Sequence, residues 1–367
     1  LEAIKADVEE TLNQYRNDIR PWSAYVDCLK DEKRDRVKAL NGSTRMFSAC
    51  SFNKLLLLGR MYFGAFMAMF TRLNIQLGHG IGVNPYSKDW DTMSRELLRF
   101  VGRHGVPQFG AGDYKKYDGS EQQAVLWLIY DIIARWYGSS DKEANLIRKY
   151  IWSEVVTSVH ITNGDIFEWD SSLASGTWLT ALINSIYNHL CFRISFQFAG
   201  QDVRTFNANV VLYVLGDDNV FSVSSDLIDI FNELTMPGLM AKSGMSYTTE
   251  SKGVATSKFR RLEDVDFLKR SFRYDPKLNR WVAPIQIKSI AEMLNWTQKG
   301  ILGDTIAVDN VGSAIKEFAL HGEEVFNEWV PQLLELKTRY YEDIYPNAPF
   351  HQDFDTAYKD VLKTEWC

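Results

Sequence analysis

The fourteen residues VVLYVLGDDNVFSV, Val210 to Val223, decide how this chain folds. Two apolar runs, Val210–Leu215 and Val220–Val223, flank Gly216-Asp217-Asp218-Asn219. β-Branched and aromatic runs of this length read as strands. Gly and Asp are the residues that a tight reversal needs. The stretch therefore predicts a buried β-hairpin with two carboxylates at its tip.

Upstream, Ser175-Gly176 opens a predicted long helix, Thr177 to Phe198. Further back, Val106 to Tyr114 reads as a buried strand whose end carries Gly112-Asp113. A helix is expected from Ser120 to Tyr137, with Gly138 as its stop. Downstream, Ser225-Asp226 caps an expected helix, Leu227 to Leu234. Phe267–Phe272 and Trp281–Ile287 read as strands around a turn at Asp275-Pro276. From Ile290 onward the pattern is helical. The order strand, helix, hairpin, helix, strand predicts an α+β fold. The first third reads as helix and loop, punctuated by Pro21 and Gly42 and closed by a helix from about Lys54 to Phe70. Gly78–Pro85 is glycine-rich, but no clear helix follows it, which argues against a phosphate-binding loop.

Composition bounds the class. The chain has 367 residues, 46% hydrophobic and 13% aromatic, which excludes disorder and supplies a large core. A net charge of −6 excludes a surface coated in basic residues but leaves room for a local basic track. Cys28, Cys50, Cys191 and Cys367 form no metal-ligand pattern and read as free thiols. The most apolar run, Leu55–Phe70, is short of the roughly 20 residues a span needs, and Arg60 interrupts it. No transmembrane segment is expected. The first residue is Leu1 and no signal peptide follows, so the chain reads as a piece of something longer.

Three segments carry the chemistry together. They are Asp113–Asp118 (DYKKYD) at a strand end, Ser175-Gly176 with Thr180 and Asn184 on the following helix, and Gly216-Asp217-Asp218 at the hairpin tip. Singly, each is an ordinary cap or turn. Jointly, a strand-end carboxylate and a hairpin-tip carboxylate converge if their elements are neighbours in one sheet. Such carboxylates repel unless cations lie between them. Magnesium prefers carboxylate oxygen and leaves positions open for phosphate, and two such ions can serve an in-line phosphoryl displacement.

On these residues the chain resembles the RNA-dependent RNA polymerases of picorna-like positive-strand RNA viruses. Asp113 and Asp118 match the first palm motif, Ser175, Gly176, Thr180 and Asn184 the second at every spacing, and Gly216-Asp217-Asp218 the third. Phe267-Leu268-Lys269-Arg270 matches the primer grip, and Lys30 to Arg34 with Lys38 and Arg45 resembles the basic fingers motif. With the lysine region near Lys252, six motifs stand in family order across almost the whole chain. Val83–Trp90 (VNPYSKDW) and Arg261–Val265 (RLEDV) look closest to the dicistrovirus and iflavirus branch. Leu215 stands where most relatives carry Tyr, and Gly119 where many have Ala or Ser. The family's first hundred or so residues, with a template-contact motif, have no counterpart here.

The resemblance implies a right-hand polymerase with N-terminally truncated fingers. Fingers are expected at 1–62 and, as an insertion, at 121–176; palm at 63–120 and 177–274; thumb at 275–367. It implies two magnesium ions, with manganese able to substitute, held by Asp113, Asp217, Asp218 and the Tyr114 carbonyl. Asp118, Ser175 and Asn184 would sense the 2′-hydroxyl. Lys30, Arg34, Lys38 and Arg45 would hold the triphosphate, although Asp27–Arg45 has six basic and four acidic residues and also suits a solvated face. Lys252 matches the lysine that protonates leaving pyrophosphate, a plain surface lysine being the alternative. Lys269 and Arg270 would touch primer. Implied partners are RNA template and primer, ribonucleoside triphosphates, a protein primer and other viral replication proteins, at membrane-associated replication complexes in host cytoplasm. A reverse transcriptase would place a bulky aromatic where Asp118 stands, and a non-catalytic palm would not keep all three aspartates.

Overall fold

In the computed structural model the hairpin forms between strands Val210–Leu215 and Asp218–Val223, in register from Leu215↔Asp218 to Val210↔Val223. The described residues are 1–32, 36–42, 44–100, 108–296, 303–341, 350–351 and 353–363. The turn is tighter than the sequence predicts, with only Gly216 and Asp217 as its central residues. Gly216 has φ +61° and Asp217 does not share that sign. This is the arrangement in which glycine is needed first and an ordinary residue fits second.

The hairpin forms one side of a four-stranded antiparallel sheet, ordered Val210–Leu215, Asp218–Val223, Phe109–Tyr114, Tyr247–Thr249. Both faces are covered, which is why its strands are apolar without alternation. Val210, Leu212 and Val214 enter the larger core with helix Thr180–Phe198, where the Phe192 and Phe221 rings lie 5.4 Å apart. Val211, Tyr213 and Val220 enter a second core with Trp90, Met93 and Phe272.

A second four-stranded sheet joins Met46–Ala49, Tyr25–Leu29, Ser158–Thr162 and Asp165–Trp169. A third core is helical, built by Ile287–Asn295, Gly303–Leu320, Glu323–Tyr341 and Phe354–Leu362. The α+β expectation holds.

Local differences have local causes. The expected Leu227–Leu234 helix is a single turn, Ser225–Leu227, and the helix comes later at Met236–Ala241. The Asn232 side chain accepts from the N–H groups of Leu234 and Thr235, diverting the backbone, and Pro237 then suits a helix's first turn. Phe267–Phe272 and Trp281–Ile287 resolve into two short hairpins, Asp266–Phe267 with Arg270–Ser271 and Arg273–Asp275 with Arg280–Val282. The sequence reading assigns no element between Gly138 and Ser175. The structure has helix Lys142–Val156 and the hairpin Ser158–Trp169 there. The apolar helix of the first third spans Phe52–Arg72, opening with a π-helical turn; by length and composition it could cross a membrane. Its Leu55, Leu58, Phe63, Phe66 and Phe70 are buried in the main core.

Candidate active site

Asp113 is the penultimate residue of the Phe109–Tyr114 strand, which pairs with the second hairpin strand at Gly112↔Asn219. Continued by one residue, that register sets Asp113 across from Asp218, and residues directly opposite share a face. Asp217 stands beside them at the tip. Ligand atoms of Asp113, Asp217 and Asp218 lie within 4.8 Å of one another. They form the one such acidic cluster among the described residues.

Burial and mutual repulsion make this cluster costly in its ionised form. Desolvation first, and the charge of Asp113 second, push the Asp217 carboxyl up to about 6. Desolvation, then Asp217 and Asp113, push Asp218 up to about 7, with Lys252 and Lys269 opposing. The donor set is all hard carboxylate oxygen, short of positive charge, which is the chemistry that hard divalent cations require. The residues present therefore fit divalent ions, held by Asp113, Asp217 and Asp218. Asp113 Oδ1 accepts from the Tyr114 N–H at 2.8 Å, and Lys252 Nζ lies 3.1 Å from Asp113 Oδ2. Lys252, 71% exposed, occupies a turn at φ +64°.

The tip is fixed from behind by residues that the sequence reading missed. Asn188, fully buried on helix Thr180–Phe198, donates from Nδ2 to the carbonyls of Gly216 at 2.9 Å and Asp217 at 3.1 Å. Its Oδ1 accepts from the Tyr114 hydroxyl at 2.9 Å. Ser185 Oγ accepts from Gly216 N–H at 3.1 Å. Tyr247 donates to Asn219 at 2.6 Å, and a Cβ at Gly112 would collide with that tyrosine's ring, so glycine is required there. The available signal was spacing. Asn188 lies one helical turn beyond Asn184, so the two asparagines share a face of the helix.

Asn184 Nδ2 donates to Asp118 Oδ1 at 2.8 Å, uniting the two residues expected to read the sugar. Ser175 makes no hydrogen bond to either of them among the described residues; two positions before it, Leu173 N–H donates to the Asp118 carbonyl at 2.9 Å. Thr180 Oγ1 folds back to the Ala174 and Thr177 carbonyls, which delays the helix start from Thr177 to Thr180. A Cβ at Gly176 would strike the Ser48 carbonyl, so this loop packs against the second sheet only as glycine. From that sheet's margin Lys30 Nζ donates to Ser175 Oγ at 3.1 Å.

Other basic candidates are placed differently. Arg45 is exposed, pairs with Glu32 at 3.2 Å, and is tied to Lys30 by backbone. Arg34 and the side chain of Lys38 lie outside the described residues. Lys269 is exposed on a hairpin turn where Leu268 and Lys269 both have positive φ, 58° and 61°. Arg270 points the other way. Its guanidinium binds Glu317 at 2.7 and 3.0 Å and the Ala283 carbonyl at 2.6 Å, and lies over the Tyr86 ring. It joins the sheet region to the helical third core instead of facing outward.

His160 stands between Ser158, 2.8 Å from Nε2, and Asp27, 2.9 Å from Nδ1, an order familiar from hydrolases. The histidine and serine are fully buried and the ring is stacked between Tyr25 and Trp169, so no substrate can reach them. The relay ties the second sheet together near Lys30.

The comparisons agree with this geometry. A model of the family "Viral RNA-dependent RNA polymerase" matches residues 2–338, and the chain belongs to that family. It is similar to the replicase polyprotein of Drosophila C virus (strain EB), 34% identical over 91% of this chain and 20% of the relative. It is also similar to the Cricket paralysis virus replicase polyprotein, 30% identical over 89% of this chain and 19% of the relative. The chain thus spans about a fifth of the length of these relatives. Among solved structures it resembles "Sicinivirus 3Dpol RNA dependent RNA polymerase", with TM-score 0.79 and 18% identity, covering 99% of this chain and 71% of that one. The fold is that of a viral polymerase, and relatives are found in the expected branch of picorna-like viruses and also outside it, as in the genome polyprotein of Rice tungro spherical virus (strain A), 30% identical over 90% of this chain and 10% of the relative.

Proposed function

We propose that this chain is the catalytic portion of an RNA-directed RNA polymerase that copies a viral RNA genome. The observation that carries the reading is the convergence of Asp113, Asp217 and Asp218 from two paired strands. Asp113, Asp217 and Asp218, assisted by the Tyr114 carbonyl, would hold two magnesium ions, or manganese in their place, which when bound would compensate charge on the attacking and leaving oxygens. The primer 3′-hydroxyl gives its proton to solvent, and its oxygen bonds to the α-phosphorus of a ribonucleoside triphosphate as the bond to the bridging oxygen breaks. Pyrophosphate leaves, and Lys252 gives it a proton.

Asp118 and Asn184 discriminate the sugar. Their hydrogen bond leaves Asn184 Oδ1 buried without a protein partner, an acceptor suited to a 2′-hydroxyl. Ser175, Gly176 and Thr180 shape that wall. Lys30, with Arg34, Lys38 and Arg45, receives the triphosphate. Lys269 contacts primer, while Arg270 anchors the hairpin that carries it. In this reading fingers comprise 1–62 and 121–176, palm 63–120 and 177–274, and thumb 275–367. Template, primer, a protein primer and other replication proteins are the partners, at membrane-associated sites in host cytoplasm. Incorporation of labelled ribonucleotide on a homopolymer template, with and without divalent metal, tests the reading.

A further inference from the structure

Arg260 lies behind the catalytic strand, and all its N–H groups are engaged. Nε and Nη2 donate to Glu233 at 3.1 and 2.6 Å, Nη1 and Nη2 to Glu250 at 2.6 and 2.7 Å, and Nη1 also to the Asp264 carbonyl at 3.0 Å. Glu233 is buried, and its Oε1 also accepts from the Ala111 N–H at 3.0 Å, two residues before Asp113. The Arg260 backbone pairs with Phe109 at the start of the same strand. Arg260 therefore grips the strand of Asp113 twice, once by its backbone and once through its guanidinium and Glu233.

Its other arm reaches the turn that carries Lys252. Glu250 directly follows strand Tyr247–Thr249. That turn is closed on itself, with Lys252 N–H donating to the Thr249 carbonyl at 2.8 Å and Gly253 N–H to Thr249 Oγ1 at 3.1 Å. A shift of Glu250 is thus passed to Lys252, whose exposed side chain is otherwise held, among the described residues, through Asp113. Neutral packing would fill the same space without the desolvation cost of three charged groups, so a geometric role accounts better for an arginine shared by two carboxylates.

We propose that Arg260 is a positioning residue that sets, through Glu250, where the amine of Lys252 stands over the catalytic carboxylates. The proposal rests on the reading of Lys252 as proton donor, and the test separates the two. In the full chain, Glu250→Gln leaves the Arg260–Glu233 pair in place, and a melting curve checks the fold. Single-turnover nucleotide addition should slow about tenfold, the scale expected for a small misplacement of a reacting group, with apparent nucleotide affinity unchanged. In a Lys252→Met background the same substitution should have no further effect. Glu250→Gln should also raise the acylation rate of the Lys252 amine relative to Lys269, read by mass spectrometry. Equal slowing in both backgrounds with unchanged labelling of Lys252 would overturn the proposal. Raised labelling beside a Lys252→Met variant of normal rate would keep Arg260 as the positioner and remove Lys252 from the chemistry.

Discussion

The carboxamide of Asn188 holds the catalytic turn by its backbone, donating to the Gly216 carbonyl at 2.9 Å and to the Asp217 carbonyl at 3.1 Å. A turn whose carbonyls are gripped from a rigid helix keeps its side chains in place without contacting them. Asn188→Ala takes the Asn188 donor from the Gly216 carbonyl and the Asn188 acceptor from the Tyr114 hydroxyl, and leaves the Asp217 carbonyl to Asn219 Nδ2 at 3.2 Å, costing about 1–3 kcal/mol for unmet buried partners. Thermal unfolding should show that loss, and nucleotide addition should fall by more than tenfold. Normal activity in a destabilised variant would mean the turn holds its own shape.

The carboxylate cluster makes metal binding sensitive to pH. Asp217 and Asp218 rise from 3.8 to about 6 and about 7 in the folded chain. An acid whose folded pKa lies above its unfolded value binds its proton more tightly when folded. Its contribution to stability is thus full below about pH 3.8 and lost as pH climbs through about 6 to 7. Cation binding needs the ionised forms and offsets that loss. Calorimetric titration should find manganese affinity rising from about pH 5.5 to about pH 8, with protons released near the middle of that window. An affinity flat across the range would place the metal elsewhere.

Sugar choice should depend on the Asp118–Asn184 pair. Asn184→Ala should narrow the preference for ribo- over 2′-deoxynucleotides by roughly 1–3 kcal/mol. Single-turnover competition reads the ratio directly, and an unchanged ratio would make the pair structural.

Lys269 and Arg270 are adjacent yet should behave oppositely. Arg270→Ala leaves buried Glu317 without its cationic partner, with the Tyr86 hydroxyl remaining, so unfolding should come earlier by about 3–5 kcal/mol. Lys269→Ala should leave stability within about 0.5 kcal/mol. It should weaken primer-template binding and reduce the salt slope by about one. Melting curves and binding across a salt series check both, and a reversed pattern would exchange the two roles.

The hairpin was legible because its code is local: apolar residues on both faces, and a glycine where the turn needs positive φ. The site was legible through motif order and because strand pairing converts spacing into convergence. What escaped depends on partners distant in sequence. Arg270 gives no local sign that Glu317 awaits it, and the Arg260 clamp joins Glu233, Glu250 and Ala111 only once the sheet has formed. The absent Leu227–Leu234 helix shows local competition of another kind, in which one asparagine side chain outbid helical hydrogen bonding. Asn188 resembled its buried apolar neighbours in everything but polarity, and helix spacing alone could not say which carbonyls it would meet.

The central claim is that the converged aspartates perform metal-dependent nucleotide addition. The most direct measurement is incorporation of labelled ribonucleotide on a primed RNA template by the unaltered chain and by Asp217→Asn, each across a magnesium series, with RNA affinity measured in parallel. The account predicts incorporation that requires the metal and is abolished by the substitution, while RNA binding stays nearly intact. Near-normal turnover by Asp217→Asn, or incorporation indifferent to divalent cation, would contradict it.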